Sequence, residues 1–400
     1  MAGASDERNI QTRAELFDFL QSQMQTAYRD LKERQRLESE STLIKSYVFE
    51  VDLPEELAGS KADEMKLRDF AERVFSLPKL DSAHVEIKAK GEEGFFEIYY
   101  SYKEKELVVY LDVATNRRFW EAFSISKSEP LDAWFNKIVT RRSEFDFVWL
   151  WPSFLEKIQE RGKPRGFGLD YDRRKFEKEE DETTTYLKMQ IWGGNETEEL
   201  YKVLKYHEKF RNKIVLSKVR MKEFTDSSSR DEFAIQDIKY TGKFTTRGTS
   251  FATHVRTLSL VRSNYEREIR SFEDTYALRW TERKKGEVVL EGFAMHFLPR
   301  DFKIPVKEFC NCVFDGTFPF RLMGFVDLLD DTSAVVDAVD MHSGGKLSFE
   351  IYPEVISVYL PEGTCGNSIA RFYTNLQHFF DVRFEVEADN GDKLFQSSLT

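Results

Sequence analysis

The apolar residues near the N-terminus recur with the spacing of an α-helix. They lie three or four positions apart: Phe17, Leu20, Met24, Tyr28 and Leu31. Thr12 followed by Glu15 fits a capping box, in which a hydroxyl and a carboxylate satisfy the free amides of the first turn. Residues 1–40 are therefore predicted to contain a long amphipathic helix. This helix either docks on its own domain or pairs with a partner in an oligomer or hetero-complex.

Beyond this helix, segments with strand and helix patterns alternate. Residues 83–89, 94–102 and 106–113 read as three strands joined by tight turns, which is typical of an antiparallel sheet. Pro130, followed by apolar residues at helical spacing, predicts a further helix. We predict an α+β domain over residues 41–160.

The stretch "RRKFEKEEDETTT" at 173–185 carries many charges and few core-forming side chains. We therefore predict that residues 161–185 are a charged loop or linker. Strand and helix patterns resume after it and predict a basic α+β domain over 186–290 and an acidic one over 291–400. The predicted fold class is α+β, with two or three mixed or antiparallel sheet domains and packed helices, preceded by the long N-terminal amphipathic helix.

Charge is distributed unevenly along the chain. The net charge of −11 divides into −7 for residues 1–154, +5 for 155–290 and −9 for 291–400. A basic centre between acidic ends predicts a surface that attracts anions. The apolar runs are far shorter than the roughly 20 residues of a membrane helix, no secretory signal is visible, and the three cysteines fit a reducing compartment. These features predict a cytoplasmic protein without membrane contact.

The basic centre contains a candidate binding surface. Lys218, Arg220 and Lys222 occupy alternate positions, so that on a strand they project from one face. Five further cations follow close by: Lys239, Lys243, Arg247, Arg256 and Arg262. Cations interleaved with hydroxyls and aromatic rings suit phosphate contacts and base stacking. The segment predicts nucleic acid, or an acidic protein, as a partner; the alternative is a solvated sheet face balanced by nearby acids.

A second candidate is the stretch "CGNSIAR", which contains Cys365 and Arg371. This Cys-x5-Arg spacing resembles the signature of protein tyrosine phosphatases, and its Gly, Asn and Ser resemble the low-molecular-weight members. The resemblance implies a thiolate nucleophile at Cys365 and a phosphate clamp at Arg371. Phe372 stands where those families carry Ser or Thr. The interpretation that we favour is an ordinary glycine-bearing turn that leads into a helix.

A third candidate is the segment 335–350, which holds Asp337, Asp340 and His342. In outline it resembles the carboxylate-bearing hairpin of RNase H-like nucleases, and this resemblance implies a divalent-metal site. Strand alternation, however, directs Asp337 and Asp340 to opposite faces. The favoured interpretation is a hairpin that turns at residues 342–345 and carries solvated acids.

Other signatures of chemistry are missing from the sequence. The six histidines show no paired metal-ligand spacing: His84, His207, His254, His296, His342 and His378. No glycine-rich nucleotide loop and no Gly-x-Ser-x-Gly elbow occur. We therefore predict no cofactor, and a binding or assembly protein rather than an enzyme. The alternatives are a phosphoester-processing enzyme, through Asp337 and Asp340 or through Cys365 and Arg371, and a structural subunit that assembles through its N-terminal helix.

Overall fold

The computed structural model describes residues 10–34, 43–59, 63–76, 83–102, 105–176, 186–226, 231–283 and 286–396. The chain forms two compact units. Unit 1 comprises Met1–Arg142, Phe224–Ile235 and Phe244–Thr257, and unit 2 comprises Ser143–Glu223, Gln236–Lys243 and Leu258–Thr400. The units therefore interleave along the chain, whereas the domain boundaries that we predicted divide it into contiguous segments.

The helices and strands follow one another along the whole chain. The first part forms α1 (Arg13–Arg34), β1 (Ile44–Val51), α2 (Glu55–Ala58), α3 (Glu64–Phe75), β2 (Ala83–Ala89), β3 (Phe95–Tyr102), β4 (Lys105–Asp112), β5 (Phe119–Ser124) and α4 (Ser128–Arg141). The middle part forms β6 (Phe145–Phe147), α5 (Pro152–Gln159), β7 (Lys163–Asp172), β8 (Tyr186–Trp192), α6 (Glu196–Tyr206), β9 (Leu216–Phe224), β10 (Phe233–Lys239), β11 (Lys243–Gly248) and α7 (Phe251–Ser271).

The last part forms β12 (Arg279–Arg283), β13 (Glu287–Glu291), β14 (Met295–Leu298), α8 (Val306–Val313), β15 (Leu322–Asp330), β16 (Ser333–Asp340), β17 (Lys346–Ile351), β18 (Ile356–Tyr359), α9 (Asn367–Phe379) and β19 (Glu385–Ala388). In unit 1 the strand order is β2-β3-β4-β5-β1-β11. In unit 2 it is β9-β7-β8, with the part of β10 from Gln236 onward beside β9. Unit 2 also contains a β12–β13 hairpin and a sheet in the order β15-β16-β17-β18-β14-β19. Helices with several antiparallel sheets confirm the predicted α+β class.

The apolar side of helix α1 packs against the rest of unit 1. Leu16, Leu20 and Met24 are buried, and the ring of Phe17 lies 5.4 Å from that of Phe251. The capping box is present, since the Glu15 amide donates to Thr12 Oγ1 at 3.1 Å. The helix therefore docks on its own unit, as one of our two predictions had it. Residues 1–9 and 35–40 of the predicted helical region lie outside the described residues.

Strand β7 corrects the predicted linker over 161–185. Phe167, Leu169 and Tyr171 alternate along it and are buried. Gly166 and Gly168 occupy alternate positions on the opposite side of the strand, and because they lack side chains the sequence shows no clear strand pattern there. Residues 177–185 lie outside the described residues. Among the helices that the structure describes, none combines the length and the apolarity needed to cross a bilayer.

Candidate polyanion-binding face

Strand β9 presents its three cations on one side, as the alternating pattern predicts. Val219 and Met221 are fully buried on the inner side, whereas Lys218, Arg220 and Lys222 are half-buried on the outer side. The alternation follows from the antiparallel pairing of β9 with β7, which fixes which residues face the core. Extended geometry thus gathers three cations from five consecutive residues.

Arg220 is held in a row of side chains that runs across four neighbouring strands. Its Nε and Nη2 donate to the two carboxylate oxygens of Asp237 on β10, with Nη2 to Oδ2 at 2.7 Å. On the other side its guanidinium carbon lies 3.9 Å from the centre of the Trp192 ring on β8. Gly166 of β7 stands between them and lets the indole reach across, because a Cβ there would approach Trp192 Cε3 to 2.3 Å. Much of the charge of Arg220 is therefore balanced within the fold.

Lys222 lies in a cluster of like charges. Its Cα is paired directly across the ladder with that of Lys163 on β7. A bulge between Pro164 and Gly166 inserts Arg165 beside this pair. Partial burial, followed by the positive charges of Arg165 and Lys163, lowers the pKa of Lys222 below its usual value. Like charges directly opposite each other destabilise a sheet, so the pairing of β7 with β9 holds these cations together against their repulsion.

Lys218 extends the cationic row toward the next strand pair. Its Nζ lies 5.3 Å from the centre of the Trp192 ring. Gly168 stands opposite Lys218, so that β7 again contributes no side chain there. We define the basic face by the residues that these contacts join: Lys163, Arg165, Trp192, Lys218, Arg220 and Lys222.

Lys239 lies near an acid rather than among cations. Burial raises the pKa of Asp170 above its usual value, although the positive charges of the nearby Lys188 and Lys239 act in the opposite direction. Because Asp170 is paired across the ladder with Lys188, the positive charges at this end of the sheet are partly offset.

The remaining predicted cations belong to other local structures. Arg256 donates to the carbonyl oxygens of Phe224 and Thr225, at 3.1 Å each, within unit 1. Lys243 and Arg247 are half-buried on β11, and Arg262 is half-buried on α7. Strand β9 thus gathers Lys218, Arg220 and Lys222, and the eight predicted residues are divided among β9, β10, β11 and α7.

His254 adds no charge to the basic segment in which it occurs. It is fully buried, and its ring nitrogens lie 2.8 Å from Ser46 Oγ and 2.9 Å from Thr246 Oγ1. Burial lowers the pKa of His254 to about 3. The imidazole is therefore neutral at physiological pH.

The Arg371 side chain is enclosed in the core of unit 2. Its Nε donates to the Phe320 carbonyl at 2.7 Å, and its two terminal nitrogens bind the carboxylates of Asp146 and Asp340. Burial alone would lower the pKa of Arg371, but the two carboxylates raise it above its usual value. All three guanidinium nitrogens are thus engaged by protein oxygens. This geometry favours the structural interpretation of the Cys-x5-Arg stretch over a phosphate clamp.

The turn before α9 also differs from a phosphate-binding loop. The backbone amide of Gly366 donates to a carboxylate oxygen of Glu273 at 2.7 Å. A phosphate loop would direct such an amide at the ligand. Cys365 is half-buried at this turn, and none of the three cysteines forms a disulfide.

The predicted metal candidates do not share one face of the sheet. Asp337 is exposed and accepts a hydrogen bond from Ser348 at 2.7 Å, whereas Asp340 is fully buried against Arg371. His342 follows the strand and its Nδ1 lies 2.6 Å from the Ser143 carbonyl. Asp337 and Asp340 therefore lie on opposite faces, as alternation along β16 requires.

The sequence patterns did not predict three members of the basic face. Lys163 and Arg165 fell inside the predicted linker, and Trp192 was assigned no role. What connects them to β9 is the strand order β9-β7-β8, which no local pattern reveals. The two glycines of β7 were the available signal, since alternate glycines in a strand indicate the close approach of neighbouring groups.

Comparison with known proteins covers nearly the whole chain. The model of the MJECL33-like protein family matches residues 4–395. The chain belongs to this family. A relative from Methanocaldococcus jannaschii, named Uncharacterized protein MJECL33, is 24% identical over 418 residues, which span 95% of each chain. No solved structure matches. The family therefore extends over both units, and the name of the relative states no ligand or reaction.

Proposed function

We propose that this MJECL33-like protein is a cytoplasmic binding protein that contacts nucleic acid, or another polyanion, through its basic face. One observation carries the proposal, namely the direct opposition of Lys163 and Lys222 beside Arg165. The fold holds these cations together against their mutual repulsion. A phosphate group placed among them would relieve that repulsion and gain charge-assisted hydrogen bonds.

The aromatic residues beside these cations suit single-stranded nucleic acid. Trp192 lies within the basic face, and Tyr186, 50% exposed, begins the same strand β8. The guanidinium carbon of Arg174 lies 4.2 Å from the centre of the Tyr186 ring. Aromatic surfaces beside a cationic track bind bases by stacking while the cations hold the phosphates. The proposed ligand is therefore a flexible strand rather than a duplex.

The test compares two triple variants that change charge equally. Lys163→Gln, Lys218→Gln and Lys222→Gln together remove three positive charges from the basic face and leave the Arg220–Asp237 pair intact. The control is Lys303→Gln, Lys307→Gln and Lys346→Gln, which changes cations on other elements of unit 2. Binding of a fluorescein-labelled oligothymidylate is measured by anisotropy at several salt concentrations.

The expected result is a loss of affinity in the first variant, together with a shallower dependence on salt, because fewer counterions are released on binding. The control should bind as the unchanged protein does. Equal binding by all three proteins would overturn the proposal. Thermal unfolding of each variant establishes that the fold is retained.

The two alternative functions have less structural support. A phosphoester-processing enzyme would need Arg371, or Asp340 together with Asp337, to face a substrate, but Arg371 and Asp340 bind each other in the core. A subunit that assembles through α1 would need its apolar side, yet Leu16, Leu20 and Met24 are buried within the chain.

A further inference from the structure

Three residues distant in sequence meet on the outer side of the second sheet of unit 2. His296 on β14 is paired across the ladder with Ser357 on β18, and Asp389 follows β19. The Ser357 hydroxyl oxygen lies 2.9 Å from His296 Nδ1. An oxygen of Asp389 lies 2.7 Å from His296 Nε2. A serine, an imidazole and a carboxylate thus form one continuous chain of hydrogen bonds.

The carboxylate fixes the tautomer of the imidazole. The hydrogen bond from His296, the largest effect, lowers the pKa of Asp389, so this group is an ionised acceptor near neutral pH. His296 Nε2 must therefore carry the hydrogen of that bond. The lone pair is then left on Nδ1 and is directed at the Ser357 hydroxyl, which donates to it.

Asp389 is itself held in place by the backbone. Its second oxygen accepts from the Ala294 amide at 3.1 Å, and its own amide donates to the Ala294 carbonyl at 3.2 Å. The hydroxyl, the imidazole and the carboxylate are therefore each held by hydrogen bonds. This is the order of roles found in serine hydrolases, with the two imidazole nitrogens exchanged.

We propose that Ser357, His296 and Asp389 form an acyl-transfer site that accepts small carboxylic esters. Ser357 Oγ attacks the carbonyl carbon while its proton passes to His296 Nδ1. The bond to the leaving alcohol breaks, and that alcohol takes the proton from His296. Water then attacks the acyl-serine with His296 as base, which releases the acid and restores the hydroxyl.

The surroundings define the class of ester. Glu350 is paired across the ladder with Ser357, and Glu387 with His296, so acids border the site. These charges disfavour anionic acyl groups and leave neutral or cationic ones. Ser357 is only 6% exposed, whereas the side chains of His296 and Asp389 are 26% and 54% exposed. Because Ser357 is enclosed and the imidazole beside it is more open, the substrates that we propose carry a small acyl group such as acetyl.

The probe is p-nitrophenyl acetate, with release of p-nitrophenol and the site of acetylation both recorded. The variants are Ser357→Ala and His296→Ala. The matched control is Ser348→Ala on the adjacent strand β17, because Ser348 is also a hydrogen-bonded serine but donates to the carboxylate of Asp337, at 2.7 Å, without a histidine between them. Mapping the acetyl group in the unchanged protein needs no variant, so a folding defect cannot obscure the result.

The expected result is acetylation of Ser357 in the unchanged protein and in Ser348→Ala. Loss of His296 should slow acetylation of Ser357 on the order of 10²-fold or more, the usual contribution of a general base. A purely structural hydrogen-bond chain would not produce an adduct at Ser357. The proposal is overturned if Ser357 remains unmodified, or if it is acetylated equally fast without His296.

Discussion

The guanidinium of Arg220 stacks on the indole of Trp192 although their strands are not neighbours. The guanidinium carbon is 3.9 Å from the ring centre, and strand β7 lies between β9 and β8. The contact exists because β7 contributes only a glycine, Gly166, at this level. One glycine therefore decides how an aromatic ring and a cation meet on the basic face.

This relationship predicts that Gly166→Ala disrupts the contact between Arg220 and Trp192. The new Cβ would lie 2.3 Å from Trp192 Cε3 and 2.4 Å from the Ile191 carbonyl oxygen, at a φ of 151° that side chains rarely adopt. We expect a loss of about 1–3 kcal/mol in the free energy of unfolding, as for other overpacked sites, and a change in tryptophan fluorescence. Gly59→Ala is the control, since nothing lies within 4 Å of its Cβ. Identical melting and fluorescence in the two variants would contradict the assigned role of Gly166.

Arg371 lies in a buried ion cluster, so we expect Arg371→Met to lower the free energy of unfolding strongly. The change removes the cation from between Asp146 and Asp340, which are fully buried. A buried charge that loses its partner costs about 3–5 kcal/mol, and we expect a loss of this size in urea unfolding. Arg300→Met is the control, because the Arg300–Glu385 pair is more than half exposed and such pairs contribute little. A similar loss in both variants would show that Arg371 has no special place in the core.

The lowered pKa of Asp340 predicts a loss of stability in acid. Burial raises its pKa, but Arg371 and further partners outweigh this and lower it from 3.8 to about 2. Because the folded-state pKa is depressed, the stabilisation is present above pH 3.8 and is lost as the pH falls toward about 2. The shift corresponds to about 2 kcal/mol.

Asp340→Asn tests this assignment. The variant should be less stable at neutral pH, and its free energy of unfolding should fall less steeply than that of the unchanged protein between about pH 4 and pH 2. Asp337→Asn, which changes an exposed carboxylate on the same strand, should retain the original slope. An unchanged slope in Asp340→Asn would assign the acid sensitivity to other groups.

Local pattern predicted much of the fold and only part of the candidate site. Helix α1, the shared face of the three β9 cations and the opposite faces of Asp337 and Asp340 all follow from periodicity, which neighbouring residues determine. The Lys163–Lys222 pair and the hydrogen-bonded chain through His296 depend on strand order and register. These are properties of distant segments, so a single sequence without structure does not reveal them. Strand β7 was missed for a related reason, because two glycines interrupt its polar positions.

The opposition of Lys163 and Lys222 predicts that stability and binding respond in opposite directions to one substitution. Lys163→Glu replaces a repulsive cross-strand pair by an attractive one, so the melting temperature should rise. The same change removes a cation from the basic face, so affinity for the oligothymidylate should fall, and the slope of log affinity against log salt should decrease by about 1. Lys307→Glu on α8 is the control for net charge and should leave binding unchanged. A lower melting temperature together with unchanged affinity would show that Lys163 serves the fold and has no part in binding a polyanion.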